Sequence, residues 1–168
     1  LWSTGVGGGG GKLRLALGLA EHDGTLFAAA RDGKVRALDA GNGRTRWQVD
    51  LKLDLSAGPG AGDGLVAVGS PAGILIALDA ATGQQRWKIQ AGGEILASPL
   101  VAADRVVVRL VDGRLRAFDT ADGKEVWMAE DQVPRLSLRG TSAPVQAGDA
   151  VIAGFDSGKV MAVGLASG

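Results

Sequence analysis

His22 is the single histidine among the 168 residues. A histidine serves as a general base or a metal ligand only with partners, and none stands at ligand or triad spacing from it. It precedes Asp23-Gly24, a turn pair, where a histidine is ordinarily solvated. No Ser-His-Asp order can be assembled from distinct motifs. The chain has no cysteine, which excludes disulfides, thiolate metal sites and cysteine nucleophiles. The run Gly7 to Gly11 could cradle a phosphate, but no Lys-Ser/Thr pair follows it, so it reads as a flexible connection. Asp32, Asp112 and Asp156 stand at hairpins rather than at metal-ligand spacing. The reading is of no catalytic residue, no metal and no cofactor.

One segment offers chemistry of a different kind. From Trp47 to Pro59 and from Trp87 to Pro99 is 12 residues, but from Trp127 to Pro144 is 17. The longer stretch contains Leu136-Ser137-Leu138-Arg139. Two leucines beside an arginine on a surface loop supply an apolar anchor and a forked donor for another protein. A loop folding its own leucines inward would look the same, and the residues alone leave both readings open. Lys and Arg total 18, as do Asp and Glu, so net charge gives no footprint for nucleic acid or an anionic membrane. No apolar run reaches the ~18 residues of a membrane-spanning helix.

A repeat dictates the elements that must carry this loop. Trp2, Trp47, Trp87 and Trp127 are spaced 45, 40 and 40 residues apart. Ala37-Leu38-Asp39 leads through Gly43 to Trp47, Ala77-Leu78-Asp79 through Gly83 to Trp87, and Ala117-Phe118-Asp119 through Gly123 to Trp127. Gly33, Gly73 and Gly113 keep the same step. A fourth copy shifted by 45 places Ala162 on Ala117, Pro144 on Pro99 and Gly168 on Gly123, with Gly164 where the aspartate belongs. The third copy predicts four strands: Ser98 to Ala102, Arg105 to Val111, Arg114 to Asp119 and Lys124 to Ala129. Asp112-Gly113 is read as a two-residue type I′ hairpin turn. Four short strands every 40–45 or so residues define a blade, so the expected fold is an all-β propeller of four-stranded blades. The repeats run approximately 3–47, 48–87, 88–127 and 128–168, with Leu1-Trp2 assigned to an outer strand of the closing blade. Asp39, Asp79 and Asp119 are expected to accept from turn N–H groups, and Gly43, Gly83 and Gly123 to supply positive φ. Each tryptophan is expected to dock on the neighbouring blade. Much of the high glycine content, 28 residues, falls at these turns.

The Ala-x-Asp-x-x-x-Gly-x-x-x-Trp pattern, fullest from Ala77 to Trp87, resembles the tryptophan-docking repeat of the quinoprotein (PQQ-like) propellers. That repeat specifies fold strongly and function weakly. Over the whole chain, and most sharply at Leu1-Trp2-Ser3-Thr4 and Pro134 to Pro144, the sequence resembles the N-terminal half of the BamB family. The resemblance implies an eight-bladed ring, of which four blades are half. It also implies a non-enzymatic scaffold of outer-membrane β-barrel assembly that binds BamA, in its periplasmic POTRA region, through Leu136, Ser137, Leu138 and Arg139. It implies a lipoprotein anchored by an upstream cysteine at the periplasmic face of the outer membrane. This chain, which shows no signal peptide or anchor cysteine, is expected to be soluble. Unfolded outer-membrane proteins are further expected partners, as is self-association of half-rings. The alternative is a fragment of a PQQ-dependent dehydrogenase or a ligand-sensing propeller, but the calcium ligands, aspartate base and paired cysteines of PQQ enzymes find no match in the sequence.

Overall fold

The computed structural model describes residues 1–5, 18–131 and 142–168. Its first sheet is β1 (Leu19–His22), β2 (Thr25–Ala29), β3 (Lys34–Asp39) and β4 (Thr45–Asp50). The second is β5 (Ala57–Gly62), β6 (Leu65–Gly69), β7 (Ile74–Asp79) and β8 (Gln85–Gln90). The third is β9 (Leu100–Ala102), β10 (Arg105–Arg109), β11 (Arg114–Asp119) and β12 (Glu125–Glu130). The fourth holds three strands, β13 (Val145–Ala147), β14 (Ala150–Gly154) and β15 (Val160–Gly164). Within every sheet the strands lie in chain order and pair antiparallel. There is no helix among the described residues. β1 meets β5, β5 meets β9 and β9 meets β13, so the sheets follow one another as blades of a partial propeller.

The repeat sets the register. Phe27, Ala37 and Trp47 form one cross-strand row, as do Ala67, Ala77 and Trp87, and Val107, Ala117 and Trp127. A bulge follows Ala37, Ala77 and Ala117 in each. The alternate residues face the other way. Phe27, Val35 and Ala37 of the first blade pack on Val66, Val68, Ile76 and Leu78 of the second. Ala67, Leu75, Ala77 and Trp87 then pack on Val106, Val108 and Phe118 of the third. Val107, Leu115, Ala117 and Trp127 pack on Val151, Ala153 and Leu165 of the fourth. The core is thus three apolar seams between blades; the second and third sheets are buried on both faces, whereas β13 and alternate residues of β15 leave one face of the fourth sheet exposed.

The hairpins correct one expectation. Asp112-Gly113 is not a type I′ turn: Gly113 has φ 88°, whereas Asp112 is not in the positive-φ region. Gly113 N donates to Leu110 O and Leu110 N to Arg114 O, which makes a three-residue loop ending in a glycine bulge. The same bonds recur at Gly33, Gly73 and Gly158. The two-residue turns with both residues at positive φ are instead Asp23-Gly24, Asp63-Gly64 and Ala103-Asp104, each joining the first two strands of a blade. The strand ends also move slightly, with β9 starting at Leu100 and β10 ending at Arg109.

Candidate functional site

The repeated residues meet at blade-to-blade docks. Each indole nitrogen donates to a turn carbonyl of the following sheet: Trp47 to Ala80 at 2.9 Å, Trp87 to Thr120 at 2.8 Å and Trp127 to Leu165 at 2.9 Å. Trp2 donates to Ala40 at 3.1 Å and so meets the first sheet as the others meet the sheet after their own. The rings lie flat against glycines. A Cβ at Gly43, Gly83 or Gly123 would stand 2.3, 2.6 or 2.9 Å from Trp2, Trp47 or Trp87, and all three glycines have positive φ. Trp87 and Trp127 are almost wholly buried, while Trp2 is exposed at 39%.

The aspartates build the turns that receive the rings. Asp39 Oδ1 accepts from Gly41 N and Asn42 N, Asp79 Oδ1 from Ala81 N and Thr82 N, and Asp119 Oδ1 from Ala121 N. In the fourth blade Gly164 takes the aspartate's place, and the backbone bond from Gly168 N to Gly164 O still closes the turn. Arg46 pairs with Asp39 at 2.8 Å and Arg86 with Asp79 at 2.7 Å. The Arg86 guanidinium, followed by the Thr82 hydroxyl, lowers the Asp79 pKa to about 2. Arg46 lowers that of Asp39. Both carboxylates therefore bind protons less readily folded than unfolded, so their contribution is complete above the ordinary carboxylate pKa and fades as pH falls through the folded values. The urea midpoint is expected to drop between pH 4 and pH 2, and Asp79→Asn is expected to shrink that drop. A midpoint with the same pH profile in wild type and variant would refute the role of Asp79.

A cleft of about 460 Å³ is lined by His22, Asp23, Thr25, Phe27, Arg46 and Arg86 among others. Its charges answer one another. Arg46 holds Asp39 and the Thr25 hydroxyl, Arg86 holds Asp79, and His22 Nε2 lies 3.4 Å from Asp23 Oδ2 at an exposed corner. Asp32 pairs with Lys34 at 2.5 Å and Asp112 with Arg114. No group of three or more histidines or acids placed to hold a metal occurs among the described residues.

Leu136, Ser137, Leu138 and Arg139 lie outside the described residues. Their flanks are described: β12 ends at Glu130 and β13 begins at Val145, so the segment joins the third blade to the fourth. Asp131 on one side bonds the Ser157 hydroxyl at 2.5 Å and Lys159 at 2.9 Å. On the other side the Ser142 hydroxyl meets Gly154 N and O, both at 3.2 Å. Beside them sits Arg109, fully buried, which the strand pattern of Arg105 to Val111 does not single out. A signal exists in the repeat, since the matching positions are Ala29, Gly69 and Gly154.

A family described as outer membrane protein assembly factor BamB matches residues 31–168. The outer membrane protein assembly factor BamB of Pseudomonas aeruginosa is 58% identical over 167 residues, which are 99% of this chain and 44% of that protein. The crystal structure of BamB from Moraxella catarrhalis superposes with a TM-score of 0.84 at 30% identity, covering 93% of this chain and 47% of that one. Quinohemoprotein alcohol dehydrogenase from Comamonas testosteroni superposes at 0.59 with 26% identity, over 71% of this chain and 21% of that one. The chain spans less than half the length of either BamB.

Proposed function

The chain belongs to the BamB family, and on that premise we propose that it is a non-enzymatic scaffold that binds BamA through the connection between its third and fourth blades. The observation that carries this reading is the lengthened connection holding Leu136, Leu138 and Arg139. The two shorter connections span 12 residues from Trp to Pro, and the blades they join dock in the same way as those joined by the 17-residue one. Five residues beyond the need of the fold, rich in anchor side chains, suit a partner. The setting in this reading is the periplasmic face of the outer membrane, and unfolded outer-membrane proteins are clients of the assembly.

The likeness to quinohemoprotein dehydrogenases favours a second reading, a quinone-binding fragment. One experiment separates the two. The purified chain is titrated against the immobilised periplasmic region of BamA, and in parallel with PQQ and calcium. Saturable binding to BamA and none to PQQ is expected. Saturable PQQ binding, or no binding to BamA, would overturn the scaffold reading.

A further inference from the structure

The outer edges of the first three blades are not alike. β4, β8 and β12 each stand last in a four-stranded sheet and pair on one side only. On β12, Trp127 and Ala129 face the seam with the fourth blade. Val126 and Met128 alternate with them and are 40% and 48% exposed. The residues at the same places are Arg46 and Gln48 on β4, and Arg86 and Lys88 on β8. Charged side chains on an edge strand, lysine above all, discourage a further strand from joining it. β4 and β8 are guarded in this way, whereas β12 holds no basic residue.

The fold itself does not call for the two apolar side chains. Arg46 and Arg86 hold the turn aspartates Asp39 and Asp79. In the third blade Asp119 is met instead by Arg105 of β10, at 3.5 Å, which frees position 126 from that task. Neither Val126 nor Met128 belongs to the apolar seams beside the third blade. The backbone at the same place is also free. Asp131 N bonds Gly113 O, and the register continues through Ala129 opposite Leu115 and Trp127 opposite Ala117. Antiparallel pairs alternate, so the N–H and C=O groups of Met128 and Glu130 point away from β11. Glu130 is exposed, and Arg114 opposite it is held by Asp112. Glu125 at the other end is paired with Arg116. The edge thus offers two backbone donors and two acceptors, an apolar pair and one carboxylate open to a cation.

We propose that the free edge of β12 docks an extended segment of another protein, with apolar residues at alternate positions and a lysine or arginine where it passes Glu130. The segment adds a fifth strand to the third blade: its backbone bonds Met128 and Glu130, and its apolar side chains cover Val126 and Met128. Membrane-spanning β-strands alternate apolar and polar residues, so unfolded outer-membrane proteins carry segments of this kind. Naming them as the occupant rests on the proposed place of the chain in outer-membrane assembly, and the edge is testable without it.

The probe is a short fluorescent peptide of alternating valine and serine with one lysine, titrated into the purified chain. Saturable binding is expected. Val126→Arg with Met128→Lys copies β8, so Tm should hold while peptide affinity falls by about tenfold or more. Glu130→Gln, or glutamate for lysine in the peptide, should weaken binding several-fold. Bound peptide should slow amide exchange at Met128 and Glu130 and change Trp127 and Ala129 little. Val160→Lys on β15, the edge of the fourth sheet, should leave affinity as it was. No saturable binding, undiminished binding by the double variant, unaltered exchange at Met128 and Glu130, or loss through Val160→Lys would each overturn the proposal. The double variant should bind the periplasmic region of BamA as wild type does. Its failure to do so would place BamA at this edge and overturn the client reading. Peptide binding by a wild-type chain that does not bind BamA would uphold the edge and overturn the scaffold reading instead.

Discussion

Trp87→Ala is expected to destabilise the chain by about 3–5 kcal/mol, the usual result of truncating a buried tryptophan. The ring fills the seam between the second and third blades with Leu75, Ala77, Val106 and Phe118, and only 7% of the residue is exposed. Its removal leaves a cavity against Gly123, and the backbone there is held by its own turn bonds and cannot readily collapse into it. The Thr120 carbonyl also loses its 2.8 Å donor. A domain of ordinary stability has about 5–15 kcal/mol in total, so this one change is a large part of it. The measurement is the urea midpoint at constant m-value. Trp2→Ala provides the graded comparison, because Trp2 makes the same indole bond but is exposed at 39%, and should lose much less. A loss for Trp87→Ala no greater than for Trp2→Ala would refute the dock as a main source of stability.

The triple change of Leu136, Leu138 and Arg139 to alanine is expected to weaken BamA binding by about 100-fold or more. Hot-spot side chains are worth about 2 kcal/mol or more each, and each 1.4 kcal/mol is tenfold. Tm and circular dichroism should be unchanged, since the first two pairs of blades are joined by connections five residues shorter. The two predictions are complementary. Trp87→Ala should reduce binding only in proportion to the folded fraction, whereas the triple variant should reduce it at full folding. Loss of Tm in the triple variant would mean that the leucines serve the fold, and unchanged affinity would remove all three from the interface.

Much of the architecture is legible in the sequence because a dock has strict spacing. An indole can reach the next turn only if its strand, the preceding aspartate turn and the flat glycine stand at set distances along the chain, so the same residues recur every 40 or 45 positions. The hairpin at Asp112-Gly113 departs from its expected type for a local reason. A two-residue and a three-residue loop differ only in which pair of strand residues closes it, and Asp-Gly suits either. The pairing of Arg109 with Leu115 decides the matter, and that register belongs to the whole sheet.

Arg109 shows the wider limit. Alternation along Arg105 to Val111 tells which side chains share a face, but the third blade is buried on both faces, against the second and the fourth. Burial of a charge therefore depends on what the adjoining blade places opposite it, here Phe155 and Asp156 of the fourth. Repeat period, the aspartate turns that precede the tryptophan strands and the surplus in the third connection are properties of the chain in order, so composition and spacing alone determined them. The partner of a buried guanidinium, the order of seams and the carboxylates held by Arg46 and Arg86 arise only when separate strands and blades come together. They rest on contacts between residues apart in sequence, and the tertiary structure decided them.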